Sequence, residues 1–351
     1  MKIAYLANSD NLSHIADRRR FAHYAKKEDV VFEKFDSSKC FDLLIVSIAA
    51  NLNEILLYKK KFPNIKIIFD YCDDLLSDSF FKKLLRPLYE AFKWKSLKNF
   101  CNFNNLVIEI LSISNIIICG SIEQKKSLLK YNQSIVVIPD FVVTEAFYKK
   151  ENFRLVNHQK VSILWEGLSG GLYKIVKNLF KLFTNLDKNI SLNIVTDPYT
   201  YLIGDRYIKI NTEKYLKKMS KKYGVEVKFW SWTKDNLNKA IKCSDLGIIL
   251  IPKNDKTMQN KPENKLVLLS CFRLPVLVSS TASYKRYIID AGGNDLHSLS
   301  TNFKESNIKD LCSKESDRAF IGKHLYNYAT KEYSEEIILS KWRKMLSSFS
   351  I

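Results

Sequence analysis

With 351 residues, the chain exceeds what one hydrophobic core comfortably organises and suits two domains. Its 46% hydrophobic and 26% charged residues exclude a disordered chain. Its best apolar run, Leu106 to Cys119, is shorter than the roughly 18–20 residues of a membrane span and carries Glu109 and Asn115. The formal charge of +19 suits nucleic acid, an anionic membrane surface or phosphorylated small molecules, within a general lysine excess that includes one concentrated patch.

Seven cysteines, an odd number with no CxxC pair, argue against a disulfide framework or a zinc site. They lead to the expectation of a cytoplasmic protein without a metal site. Met1 to Ala7 is too brief for a signal peptide, and Lys2–Ala7 reads as a first strand. His14–Lys27 follows as a helix, Val30–Phe35 and Leu43–Ser47 as strands, Asn53–Lys61 as a helix and Ile65–Phe69 as a strand. A basic helical region runs from Phe80 to about Phe100, interrupted near Pro87. Then come helix Leu106–Leu111, strand Ile116–Cys119, helix Ile122–Tyr131 and strand Ile135–Ile138. This alternation predicts a parallel sheet covered on both faces.

The pattern restarts after a polar linker, Lys149 to Lys160. Strand Val161–Trp165 passes through Glu166-Gly-Leu-Ser-Gly-Gly171 into a helix ending near Leu182. Strand Leu192–Val195, helix Thr212–Tyr223, strand Glu226–Trp230, helix Lys234–Lys242 and strand Leu246–Ile251 continue the alternation. A polar turn, Lys261-Pro-Glu-Asn-Lys265, opens an apolar helix, Leu266–Phe272, and a corner at Arg273–Leu274 leads into strand Pro275–Ser279. Glu263, Asn264 and Lys265 thus sit at a helix N-terminus beyond a strand's carboxyl end, where open α/β sheets bind ligands and anions are favoured. Tyr333 to Trp342 reads as an amphipathic helix capped by Ser334.

The Pro-x-Asn-Lys turn with its Leu274-Pro-Val276 strand resembles the signature of GT-B glycosyltransferases. Further segments resemble that family in the same order. They are the His14 helix with Arg18 to Phe21, Ile67-Ile-Phe-Asp-Tyr-Cys-Asp-Asp74, Ser114 to Glu123, Val136-Val-Ile-Pro-Asp140, Ser244 to Pro252 and the closing Tyr333–Trp342 helix. The resemblance covers almost the whole chain. It implies an α/β fold of two Rossmann-like domains facing across a cleft, with the last helix crossing back to the first. The expected bounds are 1–148 for an acceptor domain, 149–332 for a nucleotide-sugar donor domain and 333–351 for the returning helix. Against glycosyltransferase family 4 the chain is divergent. The family's two donor-helix glutamates align with Asn260 and Leu268, its Arg and Lys pair with Leu168 and Lys174, and Phe69 to Asp74 lacks its histidine.

Transfer from a nucleoside diphosphate sugar requires neutralising the departing diphosphate, holding the nucleoside and aiming an acceptor hydroxyl. The glycines of Glu166, Gly167, Ser169 and Gly170 suit backbone approach to phosphate, or an ordinary turn. Neither GxGxxG nor GxxxxGK[ST] is present. Lys265 and Lys174 are expected diphosphate contacts. Glu263 suits the ribose hydroxyls or a helix start, and Asn264 a helix cap. Trp232 suits a wall for the base or a packing role, and Asp197 the edge of the site. In the first domain, Asp73 or Asp74 is expected to orient or deprotonate the acceptor hydroxyl, with His14 beside the acceptor or capping its helix. Lys82 to Lys98 interleaves cations with aromatic and aliphatic residues, as on an anionic membrane surface or a solvated helix face.

These features lead to an expected cytoplasmic glycosyltransferase, peripheral on the inner face of the plasma membrane and independent of metal. It would act on a surface-polysaccharide (lipopolysaccharide or capsule) or lipid-linked glycan acceptor. No nucleic-acid motif is present and none is expected as a partner. A nucleotide-sugar epimerase on the same fold, and a catalytically lapsed subunit that binds a membrane or partner, stay open.

Overall fold

The computed structural model describes residues 1–77, 103–142, 148–157, 160–184, 186, 190–203, 207–252 and 255–349. The basic segment 82–98 lies outside the described residues. Compactness divides the chain into one unit of Met1–Val143, Lys256–Pro262 and Tyr333–Ile351, and a second of Thr144–Asp255 and Glu263–Glu332.

In the first unit, β1 (Ile3–Leu6), β2 (Glu33–Lys34), β3 (Leu43–Ser47), β4 (Lys66–Tyr71), β5 (Ile116–Cys119) and β6 (Ile135–Val137) form a parallel sheet of order β2-β1-β3-β4-β5-β6. Successive strand residues point to opposite faces, so the strands inside the β2 edge feed two cores. Leu44, Val46, Ile67, Phe69 and Ile117 pack with α3 (Leu52–Lys61) and α4 (Phe103–Ile113). Leu43, Ile45, Ile68 and Ile118 face the other way, toward Phe21 and Tyr24. β5 leads into α5 (Ile122–Leu128), capped by Ser121 Oγ.

The expected single helix over His14–Lys27 is two, α1 (Ile15–Arg18) and α2 (Phe21–Lys27). Backbone at Arg20 leaves helical geometry (φ −134°, ψ −133°), which turns its guanidinium inward. The strand expected over Val30–Phe35 shrinks to β2, at the sheet edge where only one side can pair.

The second unit contains β7 (Val161–Glu166), α6 (Ser169–Thr184), β8 (Ile190–Thr196), an antiparallel hairpin of β9 (Tyr199–Ile203) and β10 (Tyr207–Asn211), and α7 (Thr212–Tyr223). β11 (Glu226–Ser231), α8 (Lys234–Lys242) and β12 (Leu246–Ile249) follow. The short α9 (Lys256–Gln259) belongs with the first unit. Then come α10 (Asn264–Cys271) and β13 (Val276–Val278). The sequence reading has no element between Val195 and Thr212, where the hairpin lies. The parallel order is β11-β8-β7-β12-β13. The chain steps outward from β7 through β8 to β11, then returns to β12 on β7's other side. Right-handed crossovers therefore put α6 and α7 on one face and α8 and α10 on the other.

Helices α11 (Ala282–Thr301, broken at Gly292–Gly293), α12 (Glu305–Ser313) and α13 (Glu315–Glu332) complete this unit. The final α14 (Glu335–Ser347) returns to the first unit. Ser334 Oγ accepts from Ile337 N, and Ile338, Trp342, Met345 and Leu346 enter the core with Ile3, Tyr5 and Phe21. Trp342 is fully buried and stacks on Tyr24 at 5.6 Å.

Candidate functional site

Strand order in the second unit reverses between β7 and β12, and a crevice outside the carboxyl ends at such a point is where ligands bind. The loop after β7 meets the start of α10 there. Gly167 has φ 151°, and a Cβ on it would stand 2.0 Å from Lys265 Nζ. That ammonium donates to Glu166 O at 3.1 Å and lies 4.8 Å from the Trp165 ring centroid. Glu166 Oε1 accepts from Trp232 Nε1 at 3.0 Å, which joins the ends of β7 and β11. Lys265 thus meets a backbone carbonyl and an aromatic face at a helix N-terminus.

The start of α6 lies next to this group. Ser169 N donates to Asp197 Oδ2 at 3.0 Å, and Ser169 Oγ donates to Tyr199 O at 3.0 Å. A Cβ on Gly170 or Gly171 would meet nothing within 4 Å, so protein packing does not require glycine at either position. Lys174, one turn on, pairs with Asp255 at 2.5 Å. Glu263 precedes α10 without capping it through its side chain and is only 2% exposed. Its Oε1 accepts from Arg286 Nη2 of α11 at 2.6 Å. Asn264 is the first residue of α10.

The carboxyl edge of the first unit's sheet is strongly charged. Its strand order reverses between β1 and β3, and the loop after β1 wraps around the buried Asp17. That carboxylate accepts from Tyr5 Oη at 2.7 Å, Asn8 N at 2.8 Å, Asn8 Nδ2 at 3.0 Å, and Ser9 N and Oγ at 2.9 Å. Burial opposes its charge, but the hydrogen bonds from Asn8, Tyr5 and Ser9 outweigh it and hold the carboxyl below the usual aspartate range. Arg20, 1% exposed, binds both oxygens of Asp70 through Nε at 2.7 and 2.8 Å. Its Nη1 donates to Asp140 Oδ1 at 2.8 Å and Ile138 O at 3.1 Å. Burial pushes the Asp70 carboxyl up despite the guanidinium beside it, and likewise raises the Cys72 thiol.

His14 Nδ1 accepts from Ala16 N at 3.2 Å, capping α1. Asp73 pairs with Lys261 at 3.1 Å. Asp74 accepts from Tyr71 Oη and Ser77 N on Oδ1 and from Asn260 Nδ2 on Oδ2, at 3.1, 3.2 and 2.8 Å. Among the described residues, no three His, Cys, Asp or Glu side chains gather as a metal-ligand set.

No protein-family model matches the sequence, and neither does any curated protein. Solved structures do. Anabaena HepE, solved with UDP-glucose, superposes with a TM-score of 0.62 at 13% identity, over 99% of this chain and 100% of its own. The lipopolysaccharide outer core galactosyltransferase WaaB, in its apo form, gives 0.56 at 11% identity over 99% and 100%. TarM gives 0.54 at 12% identity over 86% of this chain and 54% of its own. The chain thus spans about half of TarM and the full length of HepE and WaaB. The fold is GT-B.

Within this GT-B chain the structure brings Glu166, Gly167, Trp232 and Lys265 into one group and Ser169 and Asp197 into another. It directs Lys174 to Asp255 and Glu263 to Arg286. Asn260 and Leu268, aligned above with the family's two glutamates, part company: Asn260 binds Asp74 and Leu268 is 3% exposed in the core. Sequence reasoning missed Asp17, Arg20, Asp70, Asp140 and Arg286. For Asp70 a signal existed: a carboxylate inside the apolar run Ile67–Tyr71 needs a buried partner.

Proposed function

We propose that this GT-B chain is a glycosyltransferase taking a nucleoside diphosphate sugar as donor and a surface-polysaccharide or lipid-linked glycan as acceptor, in the cytoplasm. One observation carries the reading. Lys265 projects from the N-terminus of α10 onto Gly167, at the switch point between β7 and β12, beside the uncrowded Gly170 and Gly171. A helix N-terminus, a lysine and open glycine backbone together favour a diphosphate leaving group. HepE, of like fold, was solved with UDP-glucose and with UDP and glucose. On this reading Trp232 walls the base, and Glu263 with Arg286 sets the turn that presents Asn264 and Lys265. Asp73, Asp74 and His14 stand on the acceptor side.

A thermal-shift screen of UDP-, GDP-, CMP- and dTDP-linked sugars tests the donor. One of them should raise the unfolding temperature by a few degrees at about a hundredfold excess over Kd, and Lys265→Ala should cut the shift by about half or more. Incubation with that sugar then separates transfer from epimerisation. A second reading, a subunit without transferase activity, draws on Leu268 in the core and on Glu263 bound to Arg286. No shift with any nucleotide would favour it.

A further inference from the structure

Two neighbouring helices of the second unit present a lysine face. Lys214, Lys217, Lys218, Lys221 and Lys222 of α7 are all exposed. At roughly 100° per residue they form one stripe opposite the buried Thr212, Leu216 and Met219. The sole carboxylate of α7, Glu213, pairs with Lys217 at 2.7 Å. Alongside, α6 exposes Lys177 and Lys181 and contains no acidic residue. The helices are locked together. Tyr173 stacks on Tyr215 at 4.3 Å and 16°, and Thr184 Oγ1 donates to Tyr223 O at 3.2 Å. The hairpin β9–β10 packs against both helices. It contributes Tyr199 and Tyr201, 40% and 42% exposed, and Lys209 Nζ sits 3.7 Å from the Tyr199 ring centroid.

We propose that this face of the second unit docks on an anionic phospholipid bilayer. Ammonium groups attract the headgroup charge, and tyrosines settle at headgroup level with ring buried and hydroxyl wet. A nucleic-acid surface would favour arginine for bidentate phosphate and base contacts, and neither helix contains one.

Co-sedimentation of the full chain with phosphatidylcholine vesicles, with and without about one-third phosphatidylglycerol, reads the surface directly. The wild type should bind only the anionic vesicles, and less at high salt. Changing the five α7 lysines to Gln should lower partitioning about tenfold or more without altering thermal unfolding. Changing Lys304, Lys309, Lys314, Lys323 and Lys331 to Gln, exposed positions of the same unit with an equal charge change, should leave binding intact. Tyr199→Ser with Tyr201→Ser should remove the salt-resistant part. Equal losses in both lysine variants would reduce the effect to diffuse charge and overturn the proposal. So would absence of vesicle binding, including the case in which the α7 variant loses affinity only for a duplex nucleic acid.

Discussion

Lys265 Nζ occupies the space a side chain at Gly167 would fill, 2.0 Å from the position of its Cβ. Glycine there answers two demands at once, a φ of 151° and the passage of an ammonium over the β7 turn. Gly167→Ala should therefore cost about 1–3 kcal/mol of stability. Adding Lys265→Ala should return part of it, with a coupling of about 1 kcal/mol in a double-mutant cycle by urea unfolding. Additive losses would mean the two residues do not share that space. Under the glycosyltransferase reading, either single change also weakens nucleoside diphosphate binding, by about tenfold or more for a lost charge-assisted contact.

The Glu263–Arg286 pair is closed on one side by the core. Glu263→Ala should destabilise the second unit by about 3 kcal/mol, because a partly buried guanidinium loses its nearest carboxylate and keeps Asp290 only at 3.8 Å. Removing Arg286 as well should recover part of that loss. A double variant no better than the single one would show that the carboxylate's other surroundings matter more than the pair.

Asp17 makes the first unit sensitive to acid. Its folded-state carboxyl is held below the usual range, so its contribution is present above the unfolded pKa and lost as pH falls through the folded one. Asp17→Asn should lower unfolding free energy by about 2–3 kcal/mol at neutral pH. The gap should narrow as wild type and variant are compared at increasing acidity. A gap of constant size across that range would assign the loss to shape, not charge.

Trp342 fills the core shared by the first strand and the last helix. Trp342→Ala should cost about 3–5 kcal/mol, read as a lower midpoint for the first unit in chemical denaturation. An unchanged midpoint would separate α14 from that core.

Sequence reading succeeded where side-chain pattern and structure follow the same period. β3 and β5 are apolar runs because parallel strands are buried on both faces. Helix α7 was readable to the residue, since its stripe of lysines alternates with Leu216 and Met219 and Gly224 follows in a left-handed C-cap. The hairpin β9–β10 carried a usable alternation, Tyr-Thr-Tyr-Leu-Ile, but sits between a strand and a helix where a simple crossover was expected. Ion pairs were harder. Arg20 stands in a run of three arginines that reads as solvated, and its partners Asp70 and Asp140 are 50 and 120 positions away. Glu166 and Lys265 are 99 positions apart. The family-like turn marks Lys265 and the glycine loop marks Glu166, while their meeting is a product of strand order alone.

The path of the chain also dictates a timetable. Ile3 and Tyr5 are made long before Ile338, Trp342 and Met345 of α14, which complete their core. Synthesis proceeds from the N-terminus, and domains ordinarily settle in that order. Here the second unit, which ends at Glu332, has its whole sequence outside the ribosome before the first can close. The unit begun first is sealed last, and until then it exposes the apolar face that Trp342 will cover, making newborn chains its most aggregation-prone form.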